Sequence, residues 1–425
     1  MVCMVVATLV GGTAWVGAAG ATDAPRTPKL VHLWNVRLIG PGSTPVIAGG
    51  KVYLTAESAK KPGSRRAGKG IGSALYAFGA ACAPAPAACP KSRVWQRSYA
   101  WDIEGYPVRL SQPAVGDGDA YVGTVQAAAG GESTGIDGVS AGAGTPTFSS
   151  GPGSTFPPTV SGPDLYADWT VFGGEGALEG AGTEAMNAAT GAPLFTTPPV
   201  PYVASMSAPA VAGSTLFVAS GSTLNAFDAA VSASCSAPPD PSVAGVLGFP
   251  EICPALWSAA TGGTIAGTPT VAGGEVYVGG SNGVLSAFSE SGCGASTCTP
   301  DWTATVGGSI TSAVAVSGTK IFVASTDGVL EAFPIGGCGS PTCRPVWRAT
   351  IGAMPTGPAA DGNDVYVASS DGWLEVFAAA GCGSPTCAPG YAVNVHRPVD
   401  TAPAAGGGVV FVTDAHRGLH AYREP

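Results

Sequence analysis

This chain is short of charge: Asp, Glu, Lys and Arg make up only 11% of its 425 residues. Helices that pack against a core need a polar face rich in Glu, Lys and Arg, so the composition argues against a helical fold. Nineteen basic residues against 28 acidic ones leave a net charge of −9, which repels phosphate backbones and argues against nucleic-acid binding. Four histidines are too few for a histidine-rich metal site. Outside residues 2–21 no apolar run is long enough to span a bilayer. That one run has no charge from Val2 to Ala21 and ends in Ala19-Gly20-Ala21, small residues of the kind signal peptidase accepts, although no Lys or Arg precedes it and no lipobox-type Cys follows it. Residues 1–21 therefore read as an export signal or, if uncleaved, an N-terminal anchor, with 30–425 as a single domain.

In abundance are Gly (64), Pro (37) and hydrophobic residues (45%), enough apolar mass for a large core punctuated by turns. The punctuation is periodic. A lead residue followed eight positions later by an aromatic recurs as Pro45…Tyr53, Pro113…Tyr121, Pro158…Tyr166, Pro209…Phe217, Pro269…Tyr277, Val314…Phe322, Pro358…Tyr366 and Pro403…Phe411. Eleven residues on comes a second aromatic (Phe288, Phe333, Phe377, Tyr422), and fourteen further a third (Trp302, Trp347, Tyr391), a role that Trp95, Phe195 and Trp257 take in earlier units. Between the first two aromatics lie Asn282-Gly283, Asp327-Gly328 and Asp371-Gly372, tight-turn pairs that tolerate positive φ. Four short strands in about 45 residues, repeated, describe a β-propeller blade.

The last unit stops at Pro425 before any fourth strand, whereas Leu33-Trp34-Asn35-Val36 precedes the first unit with no unit of its own. Donating that strand to the last blade closes the ring and removes two sheet edges. The fold expected is all-β, a closed β-propeller of eight four-stranded blades. Seven is the alternative if the Gly-, Ser- and Thr-rich stretch 126–156 is an insertion rather than two strands.

Ten cysteines follow Cys3, and they fall into sequential pairs: Cys82/Cys89, Cys235/Cys253, Cys293/Cys298, Cys338/Cys343 and Cys382/Cys387. Each pair sits between the expected third and fourth strands of its own blade, and the last three share the form Gly-Cys-Gly-x-x-Thr-Cys. Two cysteines flanking one hairpin tip reach disulfide distance, whereas a zinc site needs four ligands converging from blades spread around a ring. Disulfides and export agree on an oxidising compartment.

The units resemble pyrroloquinoline-quinone (PQQ) repeats, through Pro209 to Gly213, Leu216 to Ala219, Leu224 to Asp228, and Ala185-Met186-Asn187-Ala188-Ala189-Thr190-Gly191. The resemblance implies a propeller; its family spans quinone-dependent dehydrogenases and non-catalytic scaffolds such as the lipoprotein that assists outer-membrane barrel assembly. The dehydrogenases carry two adjacent cysteines beside the cofactor and a fuller Asp- and Trp-bearing repeat. Here there is no Cys-Cys, and Asn187 stands where the repeat has Asp. No cofactor is expected on that ground, PQQ with calcium being the alternative.

Motifs elsewhere have local explanations. Gly279-Gly280-Ser281-Asn282-Gly283 matches a hydrolase G-x-S-x-G but falls between two strands rather than before a helix. Asp117-Gly118-Asp119 and Asp361-Gly362-Asn363-Asp364 occupy hairpin turns that want Asp and Gly for backbone reasons. Lys60, Lys61, Arg65, Arg66 and Lys69 form a basic run in a Gly/Pro loop of the first blade. Hydroxyls at Ser43, Ser111, Ser207, Ser312, Thr356 and Thr401 precede the lead residues and suit capping of loop backbone. Large or charged residues in the blade-to-blade connections are the ligand candidates at the central mouth: Glu104, Tyr106, Arg109, Tyr202, Met206, Met354, His396, Arg397 and Asp400. Of these, His396 with Asp400 is the one pairing suited to acid–base work. The reading is an exported, monomeric, non-catalytic binding or scaffold module facing an envelope protein or polymer, touching membrane only through an uncleaved N-terminus. The alternative is an enzyme using the mouth, a degenerate quinoprotein or a glycan-active propeller.

Overall fold

Short alternating runs become 33 strands, β1 to β33 in chain order, with no helix among the described residues. The computed structural model describes residues 30–58, 72–80, 93–100, 107–128, 131–150, 156–172, 178–200, 207–237 and 251–424. The strands form eight separate sheets. Blade 1 is β2–β5 (46–99), blade 2 β6–β10 (109–150), blade 3 β11–β14 (159–196) and blade 4 β15–β18 (210–260). Blades 5, 6 and 7 are β19–β22 (270–305), β23–β26 (315–350) and β27–β30 (359–394). Blade 8 takes β31–β33 (404–423) and, from the other end of the chain, β1 (Val31–Arg37).

Eight is the blade count because the stretch after Pro113 does build its outer strands. Here β9 (Gly131–Ser140) runs along β8 (Asp119–Ala128), and β10 (Pro146–Ser150) pairs with β9. Phe148 takes the fourth-strand aromatic slot opposite Gly138, where a Cβ would approach the Phe148 ring to 2.6 Å. The small residue that blurs the strand in sequence is what admits the ring.

Each second strand is buried on both faces, as in Val276-Tyr277-Val278, because neighbouring blades cover both sides of its sheet. Eight hydrophobic clusters result, each joining two adjacent blades. The fourth-strand indole is the hinge of this packing: Trp302 lies 6.0 Å from Tyr277 of its own blade and 6.2 Å from Phe333 of the next. Closure repeats the pattern. Trp34 pairs with Ala421 of β33 and lies 5.8 Å from Phe411 and 6.4 Å from Phe78, spanning blades 8 and 1.

Four of the expected cysteine pairs are bonded: Cys235–Cys253, Cys293–Cys298, Cys338–Cys343 and Cys382–Cys387. Cys82 and Cys89 lie outside the described residues. The loops do more than close a hairpin tip. Each lies parallel on the fourth strand of the preceding blade, through Thr196↔Ile252, Ser258↔Thr297, Thr303↔Thr342 and Arg348↔Thr386. Ser258 N–H donates to Ser296 O and Cys298 N–H to Ser258 O, so each loop covers an outer sheet edge that would otherwise be open to pairing. In the last three pairs the Gly before the first Cys has positive φ (Gly292, Gly337, Gly381) and lies against the preceding blade's indole, where a Cβ would come within 2.5–2.7 Å. The Gly-Cys-Gly-x-x-Thr-Cys motif is thus an inter-blade clasp. In blade 8 the buried Leu30, four residues before Trp34, stands where the second Cys stands in its sisters.

The hydroxyls at the lead positions do cap backbone. Ser43 Oγ and Ser111 Oγ accept from Thr55 N and Gly123 N at 3.1 and 2.8 Å, and Thr356 Oγ1 donates to Ala368 O at 3.1 Å. They tie the inner strand of each of these blades to its second strand.

Candidate functional site

A regular ring supplies its own controls, because every position has seven counterparts. The third strand carries one polar residue at the same register in every blade: Tyr76, Asp137, Glu184, Asn225, Ser286, Glu331, Glu375 and His420. Burial, partly offset by Arg348, raises Glu331 to about 7. Burial raises Glu375 to about 7 as well. Glu184 rises well above its ordinary value through burial and the nearby Asp168.

Blade 8 alone fills this slot with a histidine, and its neighbours in the turn between second and third strands depart from the repeat too. Blades 6 and 7 read Ser325-Thr326-Asp327-Gly328 and Ser369-Ser370-Asp371-Gly372, the serine hydroxyl donating to the aspartate. Blade 8 reads Asp414-Ala415-His416-Arg417. Arg417 occupies the glycine slot: its carbonyl accepts from Leu38 N at 2.7 Å, as Gly328 and Gly372 carbonyls accept from Ile351 and Val395. It does so at φ 83°, beside 82° and 87° for those glycines. His396, in the incoming connection, sits at φ 62° where blade 5 has Gly307 at 96°. Non-glycine residues in this region are strained by about 1 kcal/mol or more and concentrate at functional sites.

The departures in the blade 8 turn meet in one place. A cleft of about 620 Å³ is lined by Arg37 at the end of β1, Arg397 from the blade 7-to-8 connection, and Asp414, His416, Arg417 and His420 of blade 8. Asp414 is the organiser, buried beneath the turn. It accepts from His416 N at 2.7 Å, Gly418 N at 2.9 Å and His420 Nε2 at 2.8 Å, and faces Arg397 Nε at 3.9 Å. Burial alone would push its carboxyl up, but the donors from His420, Gly418 and His416 outweigh it and hold the group below the usual range. The carboxylate therefore stays ionised and fixes the His420 ring and the turn. Arg37 and Arg397 project from exposed positions, with Arg417 half-buried.

Of the mouth candidates, Glu104, Tyr106, Tyr202 and Met206 lie outside the described residues, as do residues 1–21 and the Lys60–Lys69 run. Arg109 opens β6 (Arg109–Leu110) near Glu57, whose Oε1 accepts from Leu110 N at 2.7 Å. Met354 is exposed at φ 44° in the blade 6-to-7 connection. His396 N–H donates to Asn394 Oδ1 at 2.6 Å, and among the described residues no hydrogen bond or ion pair joins His396 to Asp400. Of the described candidates only Arg397 enters the cleft. Arg37, Asp414, His416, Arg417 and His420 were not singled out by motif; aligning the last blade's second-to-third-strand turn and third strand with their sisters, position by position, is the signal that finds all but Arg37.

Gly279–Gly283 joins two strands, β20 (Glu275–Gly279) and β21 (Val284–Ser289), so its serine is a turn residue and not a nucleophile elbow. Among the described residues no three His, Cys, Asp or Glu side chains converge as a metal-ligand set.

The architecture is that of solved PQQ-type propellers. The chain is similar to BamB from Moraxella catarrhalis at 16% identity and a TM-score of 0.59, over 93% of this chain and 97% of that one. It is similar to the computationally designed Ika8 protein at 11% identity and 0.62, over 93% and 99%. A quinohemoprotein alcohol dehydrogenase, ADHIIG from Pseudomonas putida HK5, aligns at 12% and 0.58, over 94% of this chain and 78% of that one. At these identities the likeness is one of fold. No protein-family model and no curated protein matches the sequence.

Proposed function

We propose that this chain is an exported, extracytoplasmic binding or scaffold module of the cell envelope that works without catalysis and as a monomer. The observation that carries the reading is the distribution of departures from the repeat. The turns of blades 6 and 7 share one plan, and blade 8 replaces their Ser, Asp and Gly by Asp, His and Arg around a cleft on the face of the blade-to-blade connections. Its one carboxylate is engaged by three hydrogen-bond donors that hold the cleft in shape and faces Arg397 at 3.9 Å, which suits recognition more than proton transfer. Four local disulfides support an oxidising compartment. Overlap with BamB along nearly the full length of both chains supports a scaffold plan.

The reading gives PQQ no role, since the disulfides here join residues five or 18 apart and none is vicinal. Two measurements test it. The N-terminal mass of the mature protein should place cleavage after Ala21. Crosslinking of the oxidised chain in envelope fractions should trap a reproducible partner whose capture falls when Arg397 and Arg417 are replaced. Turnover of a small substrate by the purified protein, or PQQ-dependent dye reduction with Ca²⁺ present, would defeat the non-catalytic reading.

A further inference from the structure

The cleft at blade 8 is a charge inversion in an acidic protein. Sister turns present Asp327 and Asp371 to solvent at the position where blade 8 presents His416, and Gly328 and Gly372 where it presents Arg417. Arg37 and Arg397 complete a rim of three guanidinium groups against the single carboxylate of Asp414. With both histidines neutral, the excess is two positive charges on a molecule whose net charge is −9. Asp414 offsets only one of the three, facing Arg397 Nε at 3.9 Å while its oxygens accept from the His416 and Gly418 amides and from His420.

We propose that this cleft binds a phosphate-type dianion. Phosphate monoesters carry about −1.5 to −2 at pH 7, which matches the excess charge, and planar guanidinium forks suit bidentate contacts to their oxygens. The volume of about 620 Å³ exceeds that of a lone phosphate and leaves room for the group to which it is esterified. The backbone supports the assignment independently. Arg417 holds positive φ where sister blades use Gly328 and Gly372, so its side chain is kept at a conformational cost that glycine avoids. The assignment rests on the binding-module reading and names its ligand. The same chemistry is met in free phosphate and in a phosphomonoester lipid headgroup.

The test titrates the oxidised full-length protein with inorganic phosphate at low ionic strength, by calorimetry or ³¹P line broadening. Sedimentation with phosphatidylcholine vesicles, with and without phosphatidic acid, separates the two sources. Saturable phosphate binding is expected, weakened by salt and weakened roughly tenfold or more in Arg397→Ala/Arg417→Gly. Both substitutions install residues that sister blades already carry, Ala353 and Gly372, so thermal stability should hold or rise. Arg37→Gln, on an exposed strand end, provides a second variant that leaves the turn untouched. Co-sedimentation with phosphatidic acid alone assigns the headgroup; phosphate binding without it assigns the free ion. Absence of binding to either, or binding unchanged in both variants, overturns the proposal and leaves the module reading standing. Hydrolysis of an added phosphomonoester would overturn the module reading instead.

Discussion

Asp168 makes the stability of this propeller fall as pH rises, and the size of the effect follows from its surroundings. It lies in β12 (Asp164–Phe172) with no solvent exposure, where blades 4 to 7 place Ala219, Gly279, Ala324 and Ala368. Thr183 Oγ1 donates to Oδ1 at 2.6 Å, while Oδ2 has no partner among the described residues. Burial, only partly offset by that hydroxyl, raises the carboxyl from 3.8 to about 7. Between those values the folded chain keeps a proton that the unfolded chain has lost. The native state therefore binds more protons, and stability declines with rising pH until it levels off above the folded value. Between pH 5 and pH 8 the loss amounts to about 2.5 kcal/mol for this one group. Asp168→Asn keeps the shape and the bond from Thr183 and removes the titration. Denaturant midpoints measured at half-unit steps from pH 5 to 8 should show the variant's advantage over wild type growing by that amount. Glu331 and Glu375 are raised too and slope both proteins alike, whereas Glu184, raised by burial and by Asp168, is raised less in the variant and adds to the same difference. Asp414 acts with the opposite sign, its depressed value contributing stability that is lost only as pH falls through the acid range. A difference that stays constant across the series would refute the reasoning.

Two further perturbations test the ring. Trp34→Ala should cost about 4 kcal/mol and expose the closure to limited proteolysis, whereas Trp34→Phe, which removes a buried indole N–H that has no partner among the described residues, should cost less than about 1.5 kcal/mol; equal losses would mean the closing strand is held by backbone alone. Removing Cys235–Cys253, which closes 18 residues, should destabilise by about 3 kcal/mol against about 2 kcal/mol for Cys293–Cys298, which closes five. Denaturant midpoints in the reverse order would show that edge coverage, not loop entropy, sets the contribution.

The sequence carries the ring more clearly than the site, for a physical reason. Propeller positions are set by short-range rules repeated around the ring, so an aromatic at each second strand and Asn-Gly or Asp-Gly in the turns of blades 5, 6 and 7 accumulate into a signal that survives a weak unit. Blade 2 was the weak unit because Gly138 and its Ser- and Thr-rich strands carry little hydrophobic pattern, and only the Phe148 ring over Gly138 shows the strand to be regular. The cysteine pairs were legible as hairpin disulfides; their parallel docking on the preceding blade was not, since Ser258 and Thr297 meet across a blade boundary that no local spacing encodes. The site suffers from the same limit. Arg37 and Arg417 are nearly the chain's length apart and become neighbours only because β1 pairs with β33 (Gly418–Arg423), with Arg37 opposite Gly418.

Repeats also permit an argument that a single-copy fold does not. Where sister blades solve a backbone problem with glycine and one blade does not, the exception is either a structural replacement or a retained function, and the two differ in sign. Arg417 at φ 83° and His396 at φ 62° each bear a left-handed strain of about 1–2 kcal/mol. Replacing either by glycine relieves that strain and returns roughly 0.5–1 kcal/mol to the unfolded chain as entropy. If the side chains serve a ligand, Arg417→Gly and His396→Gly should therefore be neutral or stabilising by up to about 1 kcal/mol. If they instead hold the blade together, both should destabilise, since Arg417 would surrender packing over the turn and His396 its place above the blade 7-to-8 connection. Chemical denaturation of the two variants decides between these signs. A loss beyond about 1 kcal/mol in either would remove the strain argument from beneath the cleft, because a residue needed for folding has no surplus strain to explain.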